Sequence, residues 1–109
     1  MSVIKQVLKF ETLRSINSAS FTGTYQTIGS TLAFPSRFLF IVNNSGVLIT
    51  MSTDGTNDHF VIQPGAGLAF DETANSIPFS QFCIAQGTQF YVKGAASTGF
   101  VYLTTAYAA

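Results

Sequence analysis

Apolar side chains run along this chain in short stretches, some alternating with polar residues and some unbroken, with turn-forming residues at close intervals between them. That spacing, with β-branched residues and Thr recurring every few positions and few strong helix formers, predicts an all-β antiparallel sandwich of about eight strands. Ser20 to Ile28 alternates Phe21 and Tyr25 with Thr and Gln and reads as a half-buried strand closed by Gly29-Ser30. Arg37 to Asn43 is continuously apolar after its first residue and reads as a core strand. Asn43-Asn44-Ser45-Gly46 is expected to turn it back into Val47 to Ser52 as the clearest hairpin of the chain.

Asp54-Gly55 supplies the next turn, and Phe60 to Gln63 a short strand. Pro64-Gly65 and Gly67 lead into Leu68 to Phe70, and Asp71 to Phe79, containing Pro78, reads as a longer surface loop. A second hairpin is expected from Phe82 to Ala85 and Gln89 to Lys93 through Gln86-Gly87-Thr88, and Phe100 to Tyr107 closes the chain. The core expected from these runs comprises Phe40, Val42, Leu48, Ile62, Ile84, Phe90, Val92 and Val101. No linker, repeat or composition shift divides the chain, so residues 1–109 form one expected domain. Residues 1–11 are left as an extended N-terminal arm or an edge strand, since the spacing of Val3, Val7 and Leu8 also fits one or two helical turns.

Charge changes the picture. Only 9% of residues are charged, against a usual share of about 25%, and five basic and five acidic residues cancel to a net charge of zero. Weak mutual repulsion favours self-association, with a two-fold dimer as the expected form. Five dispersed cations make no basic stripe, so a nucleic-acid partner is not expected. The longest apolar run, Phe38 to Val42, falls far short of a membrane-spanning helix, so no membrane partner is expected either. Met1 to Glu11 has neither the long apolar stretch nor the small-residue cleavage site of an export signal. The single cysteine, Cys83, has no partner for an intrachain disulfide and, between Phe82 and Ile84, reads as a small buried hydrophobe.

Candidate chemistry is sparse. Asp58, His59 and Cys83 offer the residue types of a nucleophilic triad, but adjacent residues on a strand point to opposite faces, which sets Asp58 and His59 apart. Asp54, Asn57 and Asp58 resemble a fragment of a calcium loop without the downstream bidentate Glu, and are expected to form a plain Asx-rich turn instead. Glycines occur singly with no phosphate-cradling loop, so neither an enzyme nor a cofactor is expected. Phe38, Phe40, Phe82 and Phe90 belong with the core, whereas Tyr25, Tyr91, Tyr102 and Tyr107 suit an edge, an interface or, as an alternative, a carbohydrate platform.

The stretch from Ile41 to Lys93 resembles small virion structural proteins of tailed bacteriophages. The likeness lies in Val42-Asn43-Asn44-Ser45, in the turn from Ser52 to Phe60 (STDGTNDHF), in Ile62-Gln63-Pro64-Gly65 and in Ala85 to Gly94 (AQGTQFYVKG). Size, low charge and strand pattern are most similar to the capsid cement, or decoration, proteins of short-tailed phages. The resemblance implies a jelly-roll-like fold, no catalytic residue, synthesis in the host cytoplasm, and a place on the capsid exterior clamping neighbouring major capsid proteins as a dimer. A tail, neck or fibre component remains the alternative, with a carbohydrate-binding module as a second. The expected partner surface combines Val3, Ile4, Val7 and Leu8 of the N-terminal segment with Ile77 and Phe79 of the 71–79 loop, where apolar side chains stand in otherwise polar surroundings. Either Met1 to Glu11 or Thr104 to Ala109 is expected to be free to add an edge strand to a neighbour.

Overall fold

The continuous apolar runs become long strands at the centre of one sheet. The computed structural model describes residues 7–71, 76–77, 80–81 and 83–108. Its strands are β1 (Leu8–Phe10), β2 (Arg14–Asn17), β3 (Gln26–Thr27), β4 (Phe38–Ser45), β5 (Ile49–Ser52), β6 (Phe60–Ile62), β7 (Gly67–Asp71), β8 (Ser76–Ile77), β9 (Ser80–Gln81), β10 (Tyr91–Lys93) and β11 (Gly99–Ala108). One sheet runs β1/β2, β11, β4, β7, and a second runs β3, β10, β5, β6, all pairs being antiparallel. The fold is therefore an all-β sandwich, as the spacing predicts. Because β2 pairs with β11, β3 with β10, β4 with β7 and β5 with β6, the pairings are nested. A single antiparallel ribbon, doubled back between β5 and β6 and wrapped so that each arm alternates between sheets, gives this jelly-roll order.

The N-terminal segment resolves into an ordinary edge. β1 and β2 pair with the two halves of β11, and the Glu11 amide between them donates to the Thr105 carbonyl at 3.0 Å. Residues 8–10 thus lie on their own sandwich. At the other end, residues 104–108 cannot serve as a free arm, because β11 is held between β4 on one side and β1/β2 on the other.

Both expected hairpins are corrected. β4 and β5 lie in different sheets, so the segment around Gly46 is a crossover between layers. Asn43 makes it one: its side-chain amide donates to the carbonyls of Val47 and Ile62, and its Oδ1 accepts from the Ser45 amide and hydroxyl. The turn at Gln86-Gly87 does form, but its arms do not pair with each other: the residues next to it pair with the 28–36 segment, and Tyr91–Lys93 with β3 and β5. Ser36 and Ile84 exchange both backbone bonds at 2.8 Å, the Leu32 amide donates to Thr88, and the Ile28 amide donates to Phe90. Of the 20–28 strand only Gln26–Thr27 is regular, and Ser18–Ser20 is a 3-10 turn capped by the Asn17 side chain. Within the expected 71–79 loop, Asp71 ends β7 and Ile77 belongs to the small β8–β9 hairpin.

The core lies between the sheets. Leu39, Ile41, Val101 and Leu103 enter it from the first sheet, and Ile49, Met51, Ile62 and Val92 from the second. Each fully buried aliphatic side chain contributes roughly 1.5–3 kcal/mol of transfer free energy. Of the expected core, Ile62, Phe90, Val92 and Val101 are buried and Ile84 is packed against it. Phe40 and Leu48 are exposed and Val42 only half-buried. The error in β4 is one of phase. Phe38 to Val42 is apolar in both alternations, and the structure turns Leu39 and Ile41 inward, leaving Phe38, Phe40 and Val42 on the other side.

Gly99 starts β11 with φ +95°, and a Cβ there would lie 2.0 Å from the Asn44 carbonyl oxygen. Only glycine lets β11 come this close to the end of β4.

Candidate interaction face

An antiparallel sheet with one face on the core normally carries polar residues on the other. The outer face of the first sheet mixes a few polar residues with several large apolar ones. Directly opposed residues share a face, so the ladder gives its rows. Phe10, Ala106 and Phe38 form one row, ending at Asp71 on the β7 edge, with Leu8 beside Ala108 just beyond. The next holds Thr104, Phe40 and Ala69, and the one after that Ser15, Tyr102, Val42 and Gly67. Asn17, Phe100 and Asn44 complete the face.

Phe10, Phe100 and Phe40 are 63%, 40% and 38% exposed, values that place these rings on the surface. The Phe100 and Tyr102 rings stack with centroids 5.9 Å apart. A Cβ on Gly67 would stand 3.0 Å from Phe40 Cε1, so the absence of a side chain there gives that ring its seat. Charge is nearly missing. Among the described residues of these rows only Asp71 is charged. Lys9 falls in the opposite phase beside Tyr107, and Arg14 and Glu11 are buried.

The outer face of the second sheet is different. Its rows set Lys93 beside Thr50 and Val61, and Tyr91 beside Ser52 and Thr27. At its end the Tyr25 hydroxyl donates to Asp58 Oδ1, and Lys93 Nζ lies 3.0 Å from the same oxygen and 4.6 Å from the Tyr25 ring centroid. Removal from water, then the bond to Asp58, pushes the Tyr25 phenol up to about 12. The Tyr25 bond, followed by Lys93, holds the Asp58 carboxyl below its usual value.

The residue types that suggest catalysis do not converge. Asp58 faces Tyr25 and Lys93, while His59 accepts from the Thr53 amide at Nδ1 and sets Nε2 3.8 Å from Asp54. Cys83 is exposed, not buried as its apolar neighbours suggest, because the segment carrying it lies at the rim beside Ser36.

The Asp54 carboxylate is taken up by its own turn. Oδ1 accepts from the Thr56 and Asn57 amides at 2.8 Å and from the Ser52 hydroxyl at 2.9 Å, and Oδ2 from the Asn57 side chain at 2.8 Å. The amides of Asn57 and Thr56 hold its carboxyl well below the ordinary carboxylate range. With Asp58 turned towards Tyr25, the three residues form an Asx turn with no convergent oxygens. No group of three or more His, Cys, Asp or Glu gathers among the described residues.

The tyrosines do not make one platform. Tyr91 and Tyr102 lie on the outer faces of opposite sheets, and Tyr107 stacks on Phe34 at 3.9 Å. Of the expected partner residues, Val7 and Leu8 are exposed, and Leu8 stands at one end of the apolar face. Ile77 is in the β8–β9 hairpin, and Val3, Ile4 and Phe79 lie outside the described residues. The face itself, with Phe10, Phe40, Phe100 and Tyr102, is absent from the expected site. Its signal is the unbroken apolar content of Phe38 to Val42 and Phe100 to Leu103, because an antiparallel strand apolar in both phases needs cover on both sides.

Comparison of the chain with models of known families, with characterised proteins and with solved structures finds no match.

Proposed function

We propose that this chain is a non-enzymatic structural protein of a tailed-phage virion, a cement protein bound in many copies to the capsid exterior and clamping neighbouring major capsid proteins. The observation that supports the reading is the outer face of the first sheet, where Phe10, Phe40 and Phe100 are exposed and Asp71 at the rim is the one charge among the described residues, a surface suited to protein contact. The sequence likeness to phage virion proteins supplies the setting. A shell gains from such a protein through number: each contact is modest, and bridging adjacent capsomers multiplies it.

The test is occupancy. Purified protein is mixed with expanded capsids of the phage that encodes it, and copies per particle are counted after sedimentation. Saturable binding at a copy number fixed by the shell symmetry is expected. Capsids that stay bare, or protein that fractionates with tails alone, would overturn the capsid reading.

A further inference from the structure

β7 is the last strand of the first sheet, bonded on one side only among the described residues. The Asn43 amide donates to the Ala66 carbonyl at 2.9 Å, and in an antiparallel ladder Ile41 and Leu39, two and four residues before it, turn their backbone groups the same way. Leu68 and Phe70, opposite them, are therefore bonded to β4, while the amides and carbonyls of Gly67 and Ala69 point away from it. No backbone group of a described residue meets them there.

The flank beside this edge is open. Leu68 and Phe70 stand in the phase of the core, yet Leu68 is only half-buried and Phe70 is 36% exposed, whereas Ile41 and Leu39 opposite them are fully buried. The Phe70 ring meets Phe60 of β6, the last strand of the second sheet, edge to face at 5.6 Å. The two sheet edges thus approach each other through an aromatic pair that water still reaches.

We infer that this edge takes an extended segment of another protein, added beside β7 as a further strand and apolar at alternate positions. The inference rests on the structural reading only for the partner's identity, a segment of a major capsid protein. The backbone sets the first requirement, because an extended chain is what answers amides and carbonyls spaced two residues apart along a strand. The inward phase sets the second: residues opposite Leu68 and Phe70 lie over the open flank, where apolar side chains are favoured. Natural sheet edges are blunted by Lys, Pro or an inward charge, and Gly67 to Phe70 has none of these.

A second copy fits this edge poorly. Five residues rising about 3.4 Å each, in a layer about 10 Å thick, give about 170 Å² per copy when two folded sheets meet edge to edge. The pair buries about 340 Å², well under the roughly 1,000 Å² of a specific interface. A single extended chain has no folded body to hold it off, so it covers both the edge and the Phe60–Phe70 flank.

Amide hydrogen exchange tests the inference, with acetyl-Lys-Thr-Val-Thr-Val-Thr-Val-Lys-amide as the probe. At millimolar peptide and about nine-tenths occupancy, the Gly67 and Ala69 amides are expected to exchange about tenfold more slowly. The same peptide N-methylated at its threonines offers no donor to Gly67 and Ala69 when its valines face the flank, and is expected to leave both amides unprotected. Ala69→Pro removes an outward donor and no bond to β4, so it is expected to keep the circular dichroism spectrum and to lose the protection at Gly67. Should that variant unfold, the N-methylated peptide decides. A peptide that slows neither amide, or equal protection by its N-methylated form, would overturn the inference. So would protection that grows with the protein's own concentration without peptide, which assigns the edge to a second copy. Peptide binding by a protein that leaves capsids bare removes the cement reading alone, and capsid-bound protein whose Gly67 and Ala69 amides exchange freely removes the edge alone.

Discussion

The buried side-chain amide of Asn43, in β4 of the first sheet, donates to the carbonyl of Ile62, in β6 of the second, at 3.0 Å. The same nitrogen donates to the Val47 carbonyl at 2.8 Å, so one side chain ties the two layers together where the chain crosses between them. Replacing Asn43 with Ala takes its donor from the Ile62 carbonyl and its acceptor from the Ser45 amide, and leaves the Val47 carbonyl with the Ser45 hydroxyl alone at 3.2 Å. The expected loss is about 2–4 kcal/mol, at a cost of about 1–3 kcal/mol for each buried group left unpaired. Urea unfolding followed by tyrosine fluorescence measures it, and a loss below about 1 kcal/mol would show that the crossover does not depend on this amide.

Arg14 is the second tie. Its guanidinium, buried at the β2 edge, donates to the carbonyls of Ser30 and Thr31, to Thr105 Oγ1 and to Glu11 Oε1 at 2.8–3.0 Å. Breaking a buried pair from one side leaves the other charge uncompensated, so Arg14→Met is expected to cost about 3–5 kcal/mol. Glu11→Gln in the same background is expected to recover part of that loss, a coupling of about 1–3 kcal/mol in a double-mutant cycle. Additive single losses would show that the two charges do not stabilise each other.

The fold class was legible because turn residues punctuate the chain and β-branched and aromatic residues fill the intervals. What the alternation left open was phase and layer. Phe38 to Val42 is apolar in both phases, so the pattern marks a strand without saying that Leu39 and Ile41, rather than Phe40 and Val42, face the core. The same ambiguity hides the candidate face: Phe38 and Phe40 read as core, while Tyr102 reads as an edge or interface residue. Asn43-Asn44-Ser45-Gly46 has the composition of a hairpin turn, and only the long-range bond from Asn43 to Ile62 makes it a crossover. Nothing local marks Arg14 and Glu11 as a buried pair, because the carbonyls that hold Arg14 lie 16 and 17 residues away.

Cys83 carries an exposed thiol. A thiol reagent is expected to modify one group per chain in the native protein, at a rate unchanged by denaturant. Cys83→Ser is expected to alter stability by no more than about 0.5 kcal/mol, the usual range for surface substitutions. A thiol that reacts only after unfolding would return Cys83 to the interior.

Tyr25 and Asp58 set opposite limits on stability through one hydrogen bond. The Tyr25 phenol is raised from 10.0 to about 12 by removal from water and then by the bond to Asp58. In the unfolded chain it ionises near its ordinary value, so its contribution is complete below about pH 10 and is lost as pH rises towards 12. Asp58 is shifted the other way, first by the Tyr25 bond and then by Lys93. Its contribution is present above the ordinary carboxylate value of 3.8 and declines as pH falls below it. Tyr25→Phe removes the phenol and the bond together. The variant is therefore expected to show a shallower loss of stability than wild type above about pH 10, and a shallower loss in acid because Asp58 moves back towards its free value. Denaturant midpoints across the pH range report both slopes, and absorbance at the phenolate band is expected to lose in the variant the step that Tyr25 gives near pH 12 in the native wild type. Identical alkaline slopes in the two proteins would mean that Tyr25 ionises as freely in the fold as out of it.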